Sequence, residues 1–272
     1  MKILAIDSSG LVASAALLAD DVLVAEYTVD YKKTHSQTLL PMIDEIVRMT
    51  QQELSEIDAV AVAEGPGSFT GLRIGAATAK GLALALNKPV VGVPTVDALA
   101  YNLFGTERLV CPLMDARRGQ VYSGLYTFEG EELLVLREQE IAVAQEVVAR
   151  VNKNGRPVIF LGDGVAVYGG MIREQIEVPY SFAPAHLARQ RAGAVGALAV
   201  RYYAEGRFCS AAEHAPVYLR PSQAERERAE RLSGQVRECK PVPAKASERG
   251  TLRAGSMPEN SPVCRDVWES RT

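Results

Sequence analysis

Two stretches of this chain repeat one order of elements, and that repeat limits the possible folds more than any other feature. The first, ILAIDSSGLVASAALLADDVLVAEY, reads as strand, Asp-ended turn, strand, tight turn, strand. The second, VCPLMDARRGQVYSGLYTFEGEELLVL, reads the same way. Strands fall at Ile3–Ile6, Val12–Leu18 and Val22–Tyr27 in the first copy, and at Leu109–Met114, Val121–Phe128 and Leu133–Arg137 in the second. Few residues match, but order and spacing agree to about two positions, the precision of such boundaries. Each copy is followed by helices and further strands. After the first come a helix over Thr34–Thr50, a strand over Ile57–Ala63, a small-residue helix over Thr70–Leu86, a strand over Pro89–Val93 and a helix over Thr95–Phe104. After the second come helices over Ala144–Val151, Val165–Ile172 and His186–Glu205, with strands at Pro157–Leu161 and Val217–Leu219. The pattern predicts two related α/β lobes, residues 1–105 and 106–222, each a mixed sheet with helices.

Paired lobes that open on an Asp-ended turn are the usual plan of the actin-like ATPase architecture, where the two turns grip nucleotide phosphates. Asp7, with Ser8 and Ser9, and Asp115, with Arg117, are the corresponding positions. The other reading is that each carboxylate ties down its own turn. The Gly65-Pro66-Gly67 turn before the small-residue helix also has two readings. Free N–H groups at a helix start favour anions. However, no lysine follows Gly71 as a P-loop requires, and Thr70 stands where a dinucleotide fingerprint needs glycine. The alternative is a packing or docking turn. Gly71, Gly75, Ala79 and Ala83 recur every four residues and form one smooth ridge. A neighbouring helix could approach such a ridge to about 8 Å.

Composition excludes several classes. A net charge of −3 gives no overall basic field, which leaves nucleic acid to a local patch or a partner. No apolar run approaches the ~20 residues of a membrane span, and Met1–Asp7 is too short and too polar for a signal peptide. The four cysteines, Cys111, Cys209, Cys239 and Cys264, lack CxxC spacing and read as free thiols of a reducing cytosol. The three histidines, His35, His186 and His214, show no metal-ligand spacing, and no nucleophile elbow occurs. Residues 223–232 alternate acid and base, as a solvated helical extension does. Residues 233–272 hold no apolar period and are expected to be disordered.

The segments AIDSS, KTHSQTLLP, AVAEGPGSFTGLRIGAATAKGLAL, KPVVGVPTVDALA, MDARRGQVYSGLY and APVYLRPSQAE together resemble the TsaB (YeaZ) family over about Met1–Arg231. The resemblance implies a two-lobe actin-like, ribonuclease H-like α/β fold. It implies a non-catalytic scaffold subunit of the complex that installs threonylcarbamoyl on the adenosine next to the anticodon (t6A) of tRNAs reading codons that start with A. It also implies the partners: the catalytic sister TsaD, the ATPase subunit TsaE, a second copy when the chain is alone, and tRNA only through the complex. No cofactor is expected on this chain itself, and the assembled complex is left open as a place for ATP or ADP. The sister carries two metal-ligating histidines, and the corresponding positions here are Thr95 and Leu99, so no metal is expected. The resemblance further implies a four-helix contact through the two helices after the first meander. Leu39, Met42, Ile43 and Ile46 of the first, and Gly71, Gly75, Ala79 and Ala83 of the second, are the candidate interface residues. The alternative function is a free-standing actin-like ATPase or glycopeptidase-type hydrolase. Steady ATP hydrolysis by the chain alone, lost on Asp7→Ala, would favour it.

Overall fold

The computed structural model describes residues 1–20, 22–31 and 34–220. The charged extension expected at 223–232 and the tail at 233–272 lie outside the described residues. The described part belongs to one compact unit, Met1–Glu225.

The repeat is real at the level of topology. One sheet runs β3(Val22–Val29)-β2(Ala13–Ala19)-β1(Lys2–Asp7)-β4(Ala59–Gly65)-β5(Val90–Pro94). The other runs β8(Glu132–Val143)-β7(Gln120–Glu129)-β6(Leu109–Arg117)-β9(Val158–Leu161)-β10(Tyr180–Phe182). In each, the meander pairs antiparallel and the later strands add parallel to the first. The central strands are apolar on both faces because helices cover both. Leu4, Ile6, Val60 and Val62 face α1(His35–Thr50) and α2(Phe69–Leu86). Ile3, Ala5, Ala59 and Ala61 face α6(Ala192–Ala204). In the second sheet, Leu109, Cys111 and Leu113 pack on α4(Ala144–Asn154) and α5(Gly164–Gln175). Val110 and Met114 pack on α3(Thr95–Tyr101), whose Val96, Leu99 and Ala100 complete that cluster.

Several elements differ from the sequence expectation. The helix expected from His186 begins only at Ala192. Asn102 Nδ2 donates to the carbonyls of Leu187 and Arg189 at 3.1 and 2.7 Å, and these bonds hold the preceding segment in another conformation. Val217–Leu219 forms no strand; Val217 N donates a single bond to Glu64 O at 2.7 Å. The third strand of the second meander extends to Val143 rather than ending at Arg137. Finally, α6 returns to the first sheet, although it falls within the stretch 106–222 expected to form the second lobe.

Candidate functional site

The two Asp-ended turns share one hydrogen-bond pattern. Asp7 Oδ1 accepts from Ser9 N at 2.9 Å and from Ser9 Oγ at 2.6 Å. Asp115 Oδ1 accepts from Arg117 N at 2.9 Å and from Tyr168 Oη at 3.0 Å. Each carboxylate therefore braces the backbone two residues on, as Asx turns do. Asp7 is fully buried, and desolvation pushes its pKa up to about 6. Asp163 joins the second turn by accepting from Asp115 N at 3.1 Å.

The start of α2 seats on the first turn. Ser68 N donates to Ser9 O at 2.7 Å, and Ser8 Oγ donates to Gly71 O at 2.9 Å. Ser68 Oγ in turn caps the helix by accepting from Gly71 N. A Cβ at Gly71 would overlap the Ser8 carbonyl, and one at Gly75 the Ser8 hydroxyl. Only glycine lets the helix lie this close, and the N–H groups of Gly65, Ser68 and Gly71 are bonded within the chain. His35 Nε2 donates to Gly10 O at 2.9 Å and ties the start of α1 to the same place.

The structure buries the candidate interface residues within this chain. Leu39, Met42, Ile43 and Ile46 are at most 4% exposed and sit in the core under α1. Gly71, Gly75, Ala79 and Ala83 are buried as well, with their stripe against the chain's own sheet. A ridge already covered cannot meet a neighbour. The exposed parts of the two helices carry other residues: Leu40 and Met49 on opposite flanks of α1, 54% and 68% exposed, and Ala77, Gly81, Leu84 and Ala85 on the outward face of α2. Leu84 is 76% exposed, and a Cβ at Gly81 would meet nothing within 4 Å.

Thr95 and Leu99 are both buried. Thr95 Oγ1 accepts from Gly65 N at 3.1 Å, and Leu99 packs between α3 and the second sheet. Nearby is a buried pair that sequence reasoning missed. Tyr126 Oη of β7 donates to Asp97 Oδ1 of α3 at 2.8 Å and joins the two halves of the chain. Burial raises the Asp97 pKa to about 6 and pushes the Tyr126 hydroxyl far above its ordinary value. Only tertiary structure brings these two residues together. Residues 207–220 were also missed as a strap. Lys80 Nζ donates to His214 O at 2.8 Å, Arg73 Nε to Tyr218 Oη at 3.3 Å, and Arg220 Nη1 to Ala116 O at 2.9 Å. Among the described residues no group of three or more His, Cys, Asp or Glu is arranged to hold a metal, and no helix is long and apolar enough to cross a membrane.

The family described as "TsaD: tRNA N6-adenosine threonylcarbamoyltransferase" matches residues 23–228. The tRNA threonylcarbamoyladenosine biosynthesis protein TsaB of Bacillus subtilis is 37% identical over 175 residues, which cover 64% of this chain and 76% of that protein. TsaB of Escherichia coli is 32% identical over 231 residues, 81% of this chain and 95% of that one. Among solved structures, YeaZ from Pseudomonas aeruginosa superposes with a TM-score of 0.69 at 30% identity, covering 80% of this chain and 99% of that one.

Proposed function

The chain belongs to the TsaB (YeaZ) family, and from that premise we propose that it is a non-catalytic scaffold subunit of the tRNA threonylcarbamoyladenosine machinery. It has the two-lobe actin-like α/β fold, with lobes that we take as residues 1–105 and 106–222, except that α6 of the second stretch packs on the first lobe's sheet. It takes part in t6A formation on tRNAs reading codons that start with A. In this reading it dimerises with the catalytic subunit TsaD, works alongside TsaE and pairs with a second copy when alone. The observation that carries the scaffold reading is the state of Thr95 and Leu99. Both side chains are committed to packing, one as a hydrogen-bond acceptor for Gly65 and the other as core. Neither offers a histidine's nitrogen to an ion.

The contact we assign runs over the outward faces of α1 and α2. Exposed leucine and methionine on two adjacent helices supply apolar area, and the small residues Ala77, Gly81 and Ala85 allow close approach. Met49→Glu with Leu84→Glu tests this. Both sites are exposed, so the fold should persist by circular dichroism. Co-elution with a TsaD-family subunit should be lost, and t6A formation with it. Undiminished co-elution would end the assignment.

A further inference from the structure

Four guanidinium groups follow one another along residues 218–220, the segment that links the start of α2 to the first hairpin of the second sheet. Arg73 lies over the Phe69 ring, 4.0 Å from its centroid, and holds Tyr218, whose ring centroid is 4.9 Å from that of Phe69. Two residues on, Arg220 reaches the Ala116 carbonyl. Ala116 leads directly into Arg117 and Arg118, both exposed at the hairpin tip. None of the four arginines pairs with a carboxylate among the described residues. Asp115, the nearest acid in sequence, is turned onto Arg117 N and Tyr168.

The fold does not ask for arginine at the tip. Arg117 and Arg118 have φ of 63° and 57°, a region where asparagine or glycine is at less strain. Their side chains make no hydrogen bond or ion pair with the described residues. The chain as a whole carries −3, so average composition does not account for this cluster.

We infer that the strip is a direct RNA contact of this chain. Arg117, Arg118 and Arg220 would engage phosphodiester oxygens, and the Arg73 guanidinium plane with the half-exposed Tyr218 ring would take an unstacked base. The choice of RNA among polyanions rests on the tRNA-modification reading above; the geometry of the strip does not. The contact acts within the assembled complex and adds to whatever the other subunits hold.

The test is titration of a fluorescent anticodon stem-loop RNA with the full chain, alone and with a TsaD-family subunit, across a salt series. Each phosphate contact in a single strand contributes about −0.7 to the slope of log K against log salt. Arg117→Asn with Arg118→Asn should therefore flatten the slope by about 1.4, with melting temperature not lowered and subunit co-elution unchanged. Arg73→Gln should weaken binding by about 5- to 150-fold, the range for loss of one stacked base. An unchanged slope overturns the inference, as does absence of RNA binding by the wild-type chain in both states. Loss of co-elution would make the strip a protein contact, and full displacement of RNA by ATP would make it a mononucleotide site; either result overturns the inference. Wild-type chain that binds RNA in this way but never joins the partner subunit would refute the scaffold reading and leave the strip standing.

Discussion

Gly81→Ala should act with opposite signs on the isolated chain and on its complex. Gly81 lies inside the 18-residue helix α2, on the solvent side, and a Cβ there would meet nothing within 4 Å. Glycine at such a place costs about 1 kcal/mol against alanine. The isolated chain gains nothing from it, because no part of the chain comes close. A partner helix crossing at the small-residue face would. The substitution should therefore stabilise the chain alone by about 1 kcal/mol, or roughly 2–4 °C in Tm for a unit of this size. In the complex the added methyl overpacks the crossing at a cost of about 1–3 kcal/mol, which weakens the partner Kd by about 5- to 150-fold. Gly170→Ala is the matched control. It also lies exposed in a helix with open space at its Cβ, but on α5 of the second sheet. It should raise Tm similarly and leave Kd alone. Thermal melting and titration calorimetry read the two effects. A higher Tm for Gly81→Ala with a wild-type Kd would refute the close-approach reasoning.

Asp97→Asn should raise stability at neutral pH more than at acid pH. Burial raises the folded pKa from 3.8 to about 6, so the stabilising protonated form is complete below about pH 4 and is lost as pH rises through 6. Asparagine keeps an acceptor for Tyr126 without the charge, so its advantage should grow to as much as ~3 kcal/mol. Urea unfolding at pH 4.5 and 7.5 reads the difference, and a pH-independent gap would contradict it. Gly71→Ala should lower stability by about 1–3 kcal/mol, because its Cβ meets the Ser8 carbonyl. A melting curve that matches wild type would mean the α2 seat is loose. Cys111 is fully buried and its thiol is pushed up to about 12. Mass spectrometry should find it unmodified by iodoacetamide until the chain unfolds, and early labelling would show that the second sheet opens.

The meanders and their parallel additions were legible because strand runs such as ILAI and AVAVA are apolar on both faces and are bounded by clear turn residues. What was not legible depends on where a face points. The four-residue spacing of Gly71, Gly75, Ala79 and Ala83 identifies a face of α2, but a smooth stripe suits the chain's own first turn as well as a neighbour. Here Ser8 meets its glycine end and the core of the first sheet covers its alanine end. The outward stripe through Ala77, Gly81 and Leu84 carried a weaker signal, an isolated glycine among good helix formers. The return of α6 to the first sheet and the Asp97–Tyr126 bond join residues distant in sequence. No local period encodes them. The Asp-ended turns suggested both a phosphate grip and a self-bracing turn, and the observed bonds are those of the second.

The scaffold role is tested most directly by reconstituted threonylcarbamoyl transfer to tRNA, measured with this chain alone, with the TsaD-family subunit alone, and with both, the remaining components held constant. The account predicts no t6A from this chain alone, little from the partner alone and full formation from the pair. Modified tRNA from this chain without the partner, or a partner equally active without this chain, would contradict it.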